Sequence, residues 1–354
     1  MMALAALPLA GAMVGDAAAQ EKSQAQVNRL GSPAVPGRWR AELKGKVGFN
    51  MSAEFTGLGA FAAQTATGAN AFGATRAYDD GFNNADAVTG GDGRTADWRY
   101  YNAGQVAGTV ITMNRSSVIG NAATGNVGSD AAPGFSLDFA YELGRNEKRA
   151  WGFKGGLGYS LVETKDRQTL LATESRQVDT FDASAIVIPT PDTATISRLP
   201  NTPATSTTVL FAGGASIAGT RELSANMVDF RVGPYVDFEL GKRTALSLHG
   251  GLAVAVISSE FRVNETATIA GRNPILAPGV VARPNFQGSS SETAAVVGGY
   301  VGLDGQVKLS ERWSAVGGVQ FQYLQDFKQS LGGRQATLRL DQALFANLGL
   351  NYSF

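Results

Sequence analysis

The feature that most constrains this chain is a period-two alternation of apolar and polar residues that returns in eight separate segments. In the first, Trp39, Ala41, Leu43, Gly45, Val47, Phe49, Met51, Ala53 and Phe55 interleave with Arg40, Glu42, Lys44, Lys46, Asn50, Ser52 and Glu54. Successive side chains of a strand point to opposite faces, so a run this long predicts a strand with one dry face and one wet face. The eight predicted strands lie near residues 39–55, 135–143, 151–163, 228–240, 245–262, 294–309, 313–327 and 336–354. Each is close to or above the about 9–11 residues that a tilted membrane strand requires.

The connections sort into two kinds. Three are short and polar, 144–150 (GRNEKRA), 241–244 (GKRT) and 310–312 (SER); between them lie long ones, 56–134, 164–227 and 263–293, and a shorter one near 330–335. Short turns on one side and long loops on the other are the asymmetry of a membrane barrel with its turns in the periplasm and its loops outside. The predicted fold is therefore all-β, an eight-stranded antiparallel transmembrane β-barrel forming one domain over 39–354. A soluble β-sandwich, whose strands also bury one face each, is the alternative.

Composition narrows the chemistry. Charged residues make up 17% of the 354, below the ~25% of a soluble domain. There are 30 Lys+Arg against 30 Asp+Glu, so net charge gives no reason to expect nucleic acid as partner. The absence of Cys excludes a disulfide framework, a thiolate metal site and a cysteine nucleophile, and a single His excludes a multi-histidine metal centre. No cofactor and no metal are expected. Asp79, Asp80, Asp86, Asp97 and the run 90–93 (GGDG) offer oxygen ligands for calcium, but their spacing fits no EF-hand and reads as turns.

The start of the chain reads as an address. Residues 1–15 are apolar and too short to span a bilayer, and Ala17-x-Ala19 fits the small-residue rule for signal peptidase, although the first positive charge is Lys22. Residues 1–19 are expected to be a cleaved signal peptide. Residues 20–38, with Pro33 and Pro36, are expected to be a periplasmic tail.

Trp39, Trp151 and Trp313 each open a predicted upward strand, where an aromatic girdle belongs because an indole is apolar in body with a polar N–H. The wet faces point inward. They carry Arg40, Glu42, Lys44, Lys46, Glu54, Asp138, Glu142, Lys154, Asp229, Arg231, Asp237, Glu239, Asp304, Lys308, Arg339 and Asp341. An eight-stranded barrel is narrow enough to be filled by side chains, and buried charges must be paired. The set is read as a salt-bridged plug, with a narrow polar conduit as its rival. His249 is the one imidazole base available to a hydrolase, with Ser247 on the same side. It lies close to the 241–244 turn, too deep for an enzyme acting on lipid at the outer side. The chain is therefore expected not to be an enzyme and to have no catalytic residues. The segment 98–113 is expected to form an extracellular hairpin, and the apolar piece 209–212 to fold over the barrel mouth.

The C-terminal stretch 344–354 (LFANLGLNYSF) resembles the last strand of outer-membrane β-barrels, which end in Phe with an aromatic two residues earlier, here Tyr352 and Phe354. With eight strands and export, the chain resembles the small barrels of the OmpA transmembrane-domain, OmpX and OmpW type. In that family the final strand is read by the barrel-assembly machinery, so the resemblance implies that partner, with outer-membrane lipid as surroundings. Residues 78–82 (YDDGF) and 98–100 (WRY) resemble uncharacterised barrel proteins of the same class. The expected role is a sealed outer-membrane barrel whose extracellular loops carry a structural or surface-recognition function toward an unidentified ligand. The alternative is a small porin-like channel or transporter for ions or small apolar compounds.

Overall fold

The computed structural model describes residues 39–63, 75–85, 93–193, 198–269 and 285–354. The expected signal peptide and tail lie outside the described residues. Among the described residues there is no α-helix, only one short 3-10 turn at Ala103–Gln105. Eight strands close on themselves: β1 (Trp39–Phe49), β2 (Ala132–Arg145), β3 (Arg149–Asp166), β4 (Thr205–Glu239), β5 (Thr244–Ile269), β6 (Asn285–Lys308), β7 (Trp313–Leu324) and β8 (Ala343–Ser353). Each pairs antiparallel with its sequence neighbour, and β8 returns to β1 with Leu43 opposite Leu350. A sandwich would leave two separate sheets; here the hydrogen bonding forms a ring.

The ring is inside-out relative to a soluble domain. Along β5, Leu248, Leu252, Val254 and Val256 point outward and are exposed, while Ser247, His249, Ala253, Ala255, Ile257 and Phe261 point inward and are buried. The outward apolar run ends at one level on three adjacent strands. Val228, Val256 and Ala295 are opposite one another, and one step further Asn226, Ser258 and Thr293 are polar. At the short-turn end Trp39, Trp151 and Trp313 are exposed on the outer wall at the first residues of β1, β3 and β7. Trp39 packs on Tyr141 with ring centroids 4.9 Å apart, and Trp313 on Tyr352 at the same separation.

Two predicted strands, 39–55 and 313–327, leave the wall early, and a third, 336–354, joins it late. Asn50 takes a left-handed φ of 61° and stops β1. Ser52–Thr56 then pairs with Arg334–Arg339, which pairs with Phe327–Leu331 around the left-handed glycines Gly332 and Gly333. With Asn126–Gly128 these make a four-stranded sheet across the long-loop end of the ring. Its Ala53, Phe55, Phe327, Ala336 and Leu338 are buried in one cluster with the inward Leu223, Met227, Ile257 and Phe261. Phe55 and Phe261 stack at 5.7 Å. This sheet is a lid. Alternation reads the same whether a strand stays in the wall or folds over it, so periodicity did not separate the two.

The long loops are not irregular. β4 runs for 35 residues, and beyond the ring its Thr205–Ile217 part pairs with Leu170–Asp182, which pairs with Val110–Ile119. A three-stranded sheet, Thr75–Tyr78, Gly81–Ala85 and Thr95–Tyr100, packs against this extension. The resulting head has its own core of Tyr78, Trp98, Tyr100, Ile111, Met113, Phe181 and Leu199, with Trp98 0% exposed. The predicted 98–113 hairpin is corrected: residues 95–100 pair backward with 81–85, and a tight hairpin forms at Val106–Ala107 with Val110–Ile119. Val209, Leu210 and Phe211 do not cover the mouth; they stand exposed on the β4 extension, with Arg176 stacked 4.4 Å over the Phe211 ring.

Candidate functional site

The lower half of the ring interior, toward the short turns, holds a compact ion cluster. Period-two alternation puts Arg40, Glu42, Lys44 and Lys46 of β1 on the inner face, opposite Asp138, Lys154, Asp229, Arg231, Asp237 and Asp304. Nearest the turns, Arg40 Nη1 donates to Asp237 Oδ2 at 2.6 Å and its guanidinium lies 4.7 Å over the Tyr235 ring. Above them two ammonium groups share three carboxylates. Lys44 Nζ is 2.7 Å from Asp138, 3.0 Å from Glu42 and 3.2 Å from Asp304. Lys154 Nζ is 2.7 Å from Glu42 and 3.2 Å from Asp304. His249 Nε2 lies 3.1 Å from Asp304 Oδ2. Higher still, Arg231 Nη2 donates to Asp138 Oδ1 at 2.9 Å and Lys46 Nζ donates to Asp229 Oδ2 at 2.6 Å. Arg231 Nε is also 2.9 Å from Asp229 Oδ1, close enough for charge attraction but not aligned as a hydrogen bond.

The cluster counts five cations, Arg40, Lys44, Lys46, Lys154 and Arg231, against five carboxylates, Glu42, Asp138, Asp229, Asp237 and Asp304. The cluster is neutral and every charge has an opposite partner, which offsets much of the cost of holding charges away from water, although Glu42 Oε1, Asp237 Oδ1 and Asp304 Oδ1 are buried without a hydrogen bond. Inward glycines make the space. A Cβ at Gly156 would overlap the Asp138 carboxylate, one at Gly158 the Asp229 carboxylate and the Lys46 ammonium, and one at Gly302 the His249 ring. This accounts for part of the chain's 44 glycines.

Not every expected inward residue joins this cluster. Glu142 sits at the turn end and pairs with Arg145 at 2.9 Å, and Glu239 is exposed and pairs with the same Arg145 at 2.8 Å. Lys308 is exposed, and lines a mouth cavity of about 370 Å³ together with Arg40, Asp237, Lys242 and Arg243. Arg339 and Glu54 are corrected more sharply: both belong to the lid and bond each other, Arg339 Nη2 donating to Glu54 at 2.5 Å. Asp341 is half-buried in the turn that leads from the lid into β8. These three left the wall with the strands that carry them. Tyr352 and Phe354 lie at the β8–β1 seam, their rings 5.0 Å apart, and Phe354 N–H donates to the Trp39 carbonyl at 3.0 Å.

A second buried cluster was missed. Arg221 Nη1 donates to Asp166 at 2.7 Å and its Nε to Glu265 at 2.9 Å; Arg334 Nε donates to the other Glu265 oxygen at 2.8 Å. Arg334 also lies 3.6 Å over the Phe286 ring and donates to the Ala60 carbonyl at 3.3 Å. These charges tie the lid hairpin to β3, β4 and β5. Their signal was present, since Arg221 is in phase with Asp229 on β4 and Glu265 with His249 on β5. Between the two ionic clusters the inner wall is mostly apolar, with Ala253, Ala255, Val296, Leu324 and Phe345 all buried; Ser160, Ser259, Gln322 and Gln329 are buried polar residues among them, Ser259 donating to Gln329 at 2.6 Å.

The aspartates of the head act as turn fasteners. Asp80 accepts from Asn114 N–H at 2.8 Å and from its side-chain amide at 2.6 Å, while Asp79 accepts from Ser116 N–H at 2.6 Å and Asp97 from Asn84 at 2.6 Å. Burial pushes the Asp80 carboxyl above its ordinary value despite those bonds. The Tyr78 hydroxyl, which donates to Asp179 at 2.7 Å, is raised by burial and then by that bond. A raised phenol keeps its contribution at neutral pH and loses it only in alkali. Asp86 and residues 90–92 lie outside the described residues. Among the described residues no group of three or more acidic, His or Cys side chains is placed to hold a metal.

No protein-family model and no curated protein matches the chain. Among solved structures it is similar to outer-membrane β-barrel proteins. The outer membrane protease OmpT from Escherichia coli matches at 9% identity over 90% of this chain and 98% of that one, with a TM-score of 0.33. Ail, the attachment invasion locus protein of Yersinia pestis, matches at 10% identity over 89% and 98%, with a TM-score of 0.24. The toluene transporter TodX of Pseudomonas putida matches at 7% identity over 91% of both chains, with a TM-score of 0.17. At these values no activity, ligand or partner transfers to this chain. The expectation that the chain is not an enzyme is nonetheless corrected. A protease stands among the structures it matches, and depth of a single His does not exclude activity elsewhere in the molecule.

Proposed function

We propose that the chain is an integral outer-membrane β-barrel, sealed within, that displays a folded head at the cell surface for a structural or recognition role. The observation that carries this reading is the inversion of its surface. Leu43, Phe139, Phe153, Phe230, Leu252, Val301, Phe321 and Leu348 are exposed around the whole ring, while ten paired charges lie inside it, nine of them buried and Arg40 partly so. Water would disfavour both arrangements, whereas hydrocarbon favours the first and tolerates the second. The belt on β5 spans residues 246–256, a length that matches a tilted crossing of about 9–11 residues.

Two seals in series support the closed reading over the channel. The ion cluster fills the lower interior, and above it, under the lid, the packing of Ala253, Ala255, Ile257, Phe261, Phe55 and Phe345 leaves little polar lining. The girdle of Trp39, Trp151 and Trp313 belongs to the membrane boundary on the turn side, in the periplasm. Tyr352 and Phe354 serve, on this reading, as the mark for the assembly machinery, and a signal peptide delivers the chain to it.

The test is a charge scan of the wall. Leu252→Arg, at a position 70% exposed in the middle of the belt, should cost about 2–4 kcal/mol of folding stability in lipid vesicles. Ser258→Arg, beyond the belt, should cost about 0–1 kcal/mol. Urea titration of both variants in vesicles measures the difference, and equal costs would contradict a lipid-facing wall.

A further inference from the structure

The two ends of the apolar belt carry different charge. At the short-turn end, the segments 144–149, 239–244 and 308–313 hold Arg145, Lys148, Arg149, Lys242, Arg243, Lys308 and Arg312 against only Glu147, Glu239 and Glu311, all exposed. Arg145 is taken up by Glu142 and Glu239. Lys148, Lys242, Arg243 and Lys308 have no carboxylate within ion-pair distance among the described residues. Arg149 lies 5.5 Å over the Phe238 ring, and Arg312 donates to the Tyr352 hydroxyl at 3.2 Å. At the other end the outward charges next above the belt are Glu163, Lys165, Glu222, Glu260 and Arg262, an acidic excess of one in which Lys165 pairs with Glu222 and Arg262 with Glu260.

We infer that the short turns form a basic collar that binds the phosphates of anionic phospholipids in the leaflet on that side. This rests on the membrane reading above. All three turns bring cations to one level beside the girdle tryptophans, where lipid phosphates lie. Lysine and arginine on exposed turns have side chains long enough to reach outward over the belt, with their stems on its apolar surface. Cations without a protein counter-charge gain most from an anionic headgroup, through an attraction that salt weakens.

The girdle supplies the probe. Trp39, Trp151 and Trp313 border the collar, while Trp98 is buried in the head and contributes only a constant background. The full chain is reconstituted in vesicles of phosphatidylcholine with a fraction of brominated phosphatidylglycerol, or the same fraction of brominated phosphatidylcholine, and tryptophan quenching is compared. Quenching by the brominated anionic lipid should exceed that by the zwitterionic one by about two-fold or more at low salt. The ratio should fall to about one at high ionic strength, and likewise in a variant combining Lys148→Gln, Arg149→Gln, Lys242→Gln, Arg243→Gln and Arg312→Gln. Strong but equal quenching by both lipids in the unaltered chain overturns the collar and leaves the membrane reading standing. A preference that survives in the five-fold variant assigns it to other residues and also overturns the collar. Quenching by neither lipid overturns the membrane reading itself, and the inference with it.

Discussion

Asp304→Ala should lower folding stability by about 3–5 kcal/mol, because it leaves buried cations short of a counter-charge. The Asp304 carboxylate lies within 3.2 Å of the Lys44 and Lys154 ammonium groups and 3.1 Å from His249 Nε2. Its removal leaves Lys44 and Lys154 to share Glu42 and Asp138, and turns five cations against five carboxylates into five against four. Neither ammonium can reach solvent, since both lysine side chains are almost wholly buried. Removing charge of both signs should hurt less than removing one. Lys154→Met combined with Asp304→Leu restores neutrality and fills the space with apolar atoms, and such exchanges are often close to neutral. Urea unfolding of the two variants measures the gap between them. A cost for Asp304→Ala below about 1 kcal/mol would mean that the cluster is hydrated like a surface ion pair, and the lower seal would fall.

Glu265→Ala should have an effect of similar size, about 3–5 kcal/mol, but a different local consequence. Arg221 would keep Asp166 at 2.7 Å. Arg334 would lose its single carboxylate and be left with the carbonyls of Gly332 and Ala60 and the face of Phe286. Since Arg334 belongs to the lid hairpin, the lid should loosen before the ring does. Amide exchange in residues 327–339 should quicken well ahead of exchange in β5 and β6, and the Gly332–Gly333 turn should become a site of protease cleavage. Uniform loosening of lid and ring together would show that the two unfold as one unit and that Glu265 is not the fastening.

The ring was legible in the sequence because an eight-stranded wall repeats one physical rule, a residue for lipid then a residue for the interior. That rule places Arg40, Glu42, Lys44 and Lys46 on the inner face and Trp39, Trp151 and Trp313 on the outer one. It failed where the chain leaves the wall. Residues 52–56 and 334–339 alternate as wall strands do, and only the left-handed turn at Asn50 and the tight Gly332–Gly333 turn send them across the opening. Arg339 and Glu54 were therefore placed in the lumen when they bond each other in the lid. The upper interior is hard to read from the sequence for a second reason. Small inward residues such as Ala253 and Ala255 hold no strong signal by themselves, and become an apolar layer only when Phe55 and Phe345 from distant segments pack on them. The head was least legible: the pairing of its central strands joins residues about 60 apart, such as Arg115 with Gln177, and no local pattern announces it.

The account turns most directly on whether the ring, once in a membrane, lets ions through. Insertion into a planar bilayer is first established by the slower migration of unheated against boiled protein, and conductance is then recorded across the inserted molecules. A neutral ion cluster beneath an apolar layer and a fastened lid predicts a silent membrane at all moderate voltages. Stable, reproducible single-channel steps from the unaltered chain would contradict the seal and make transport its function.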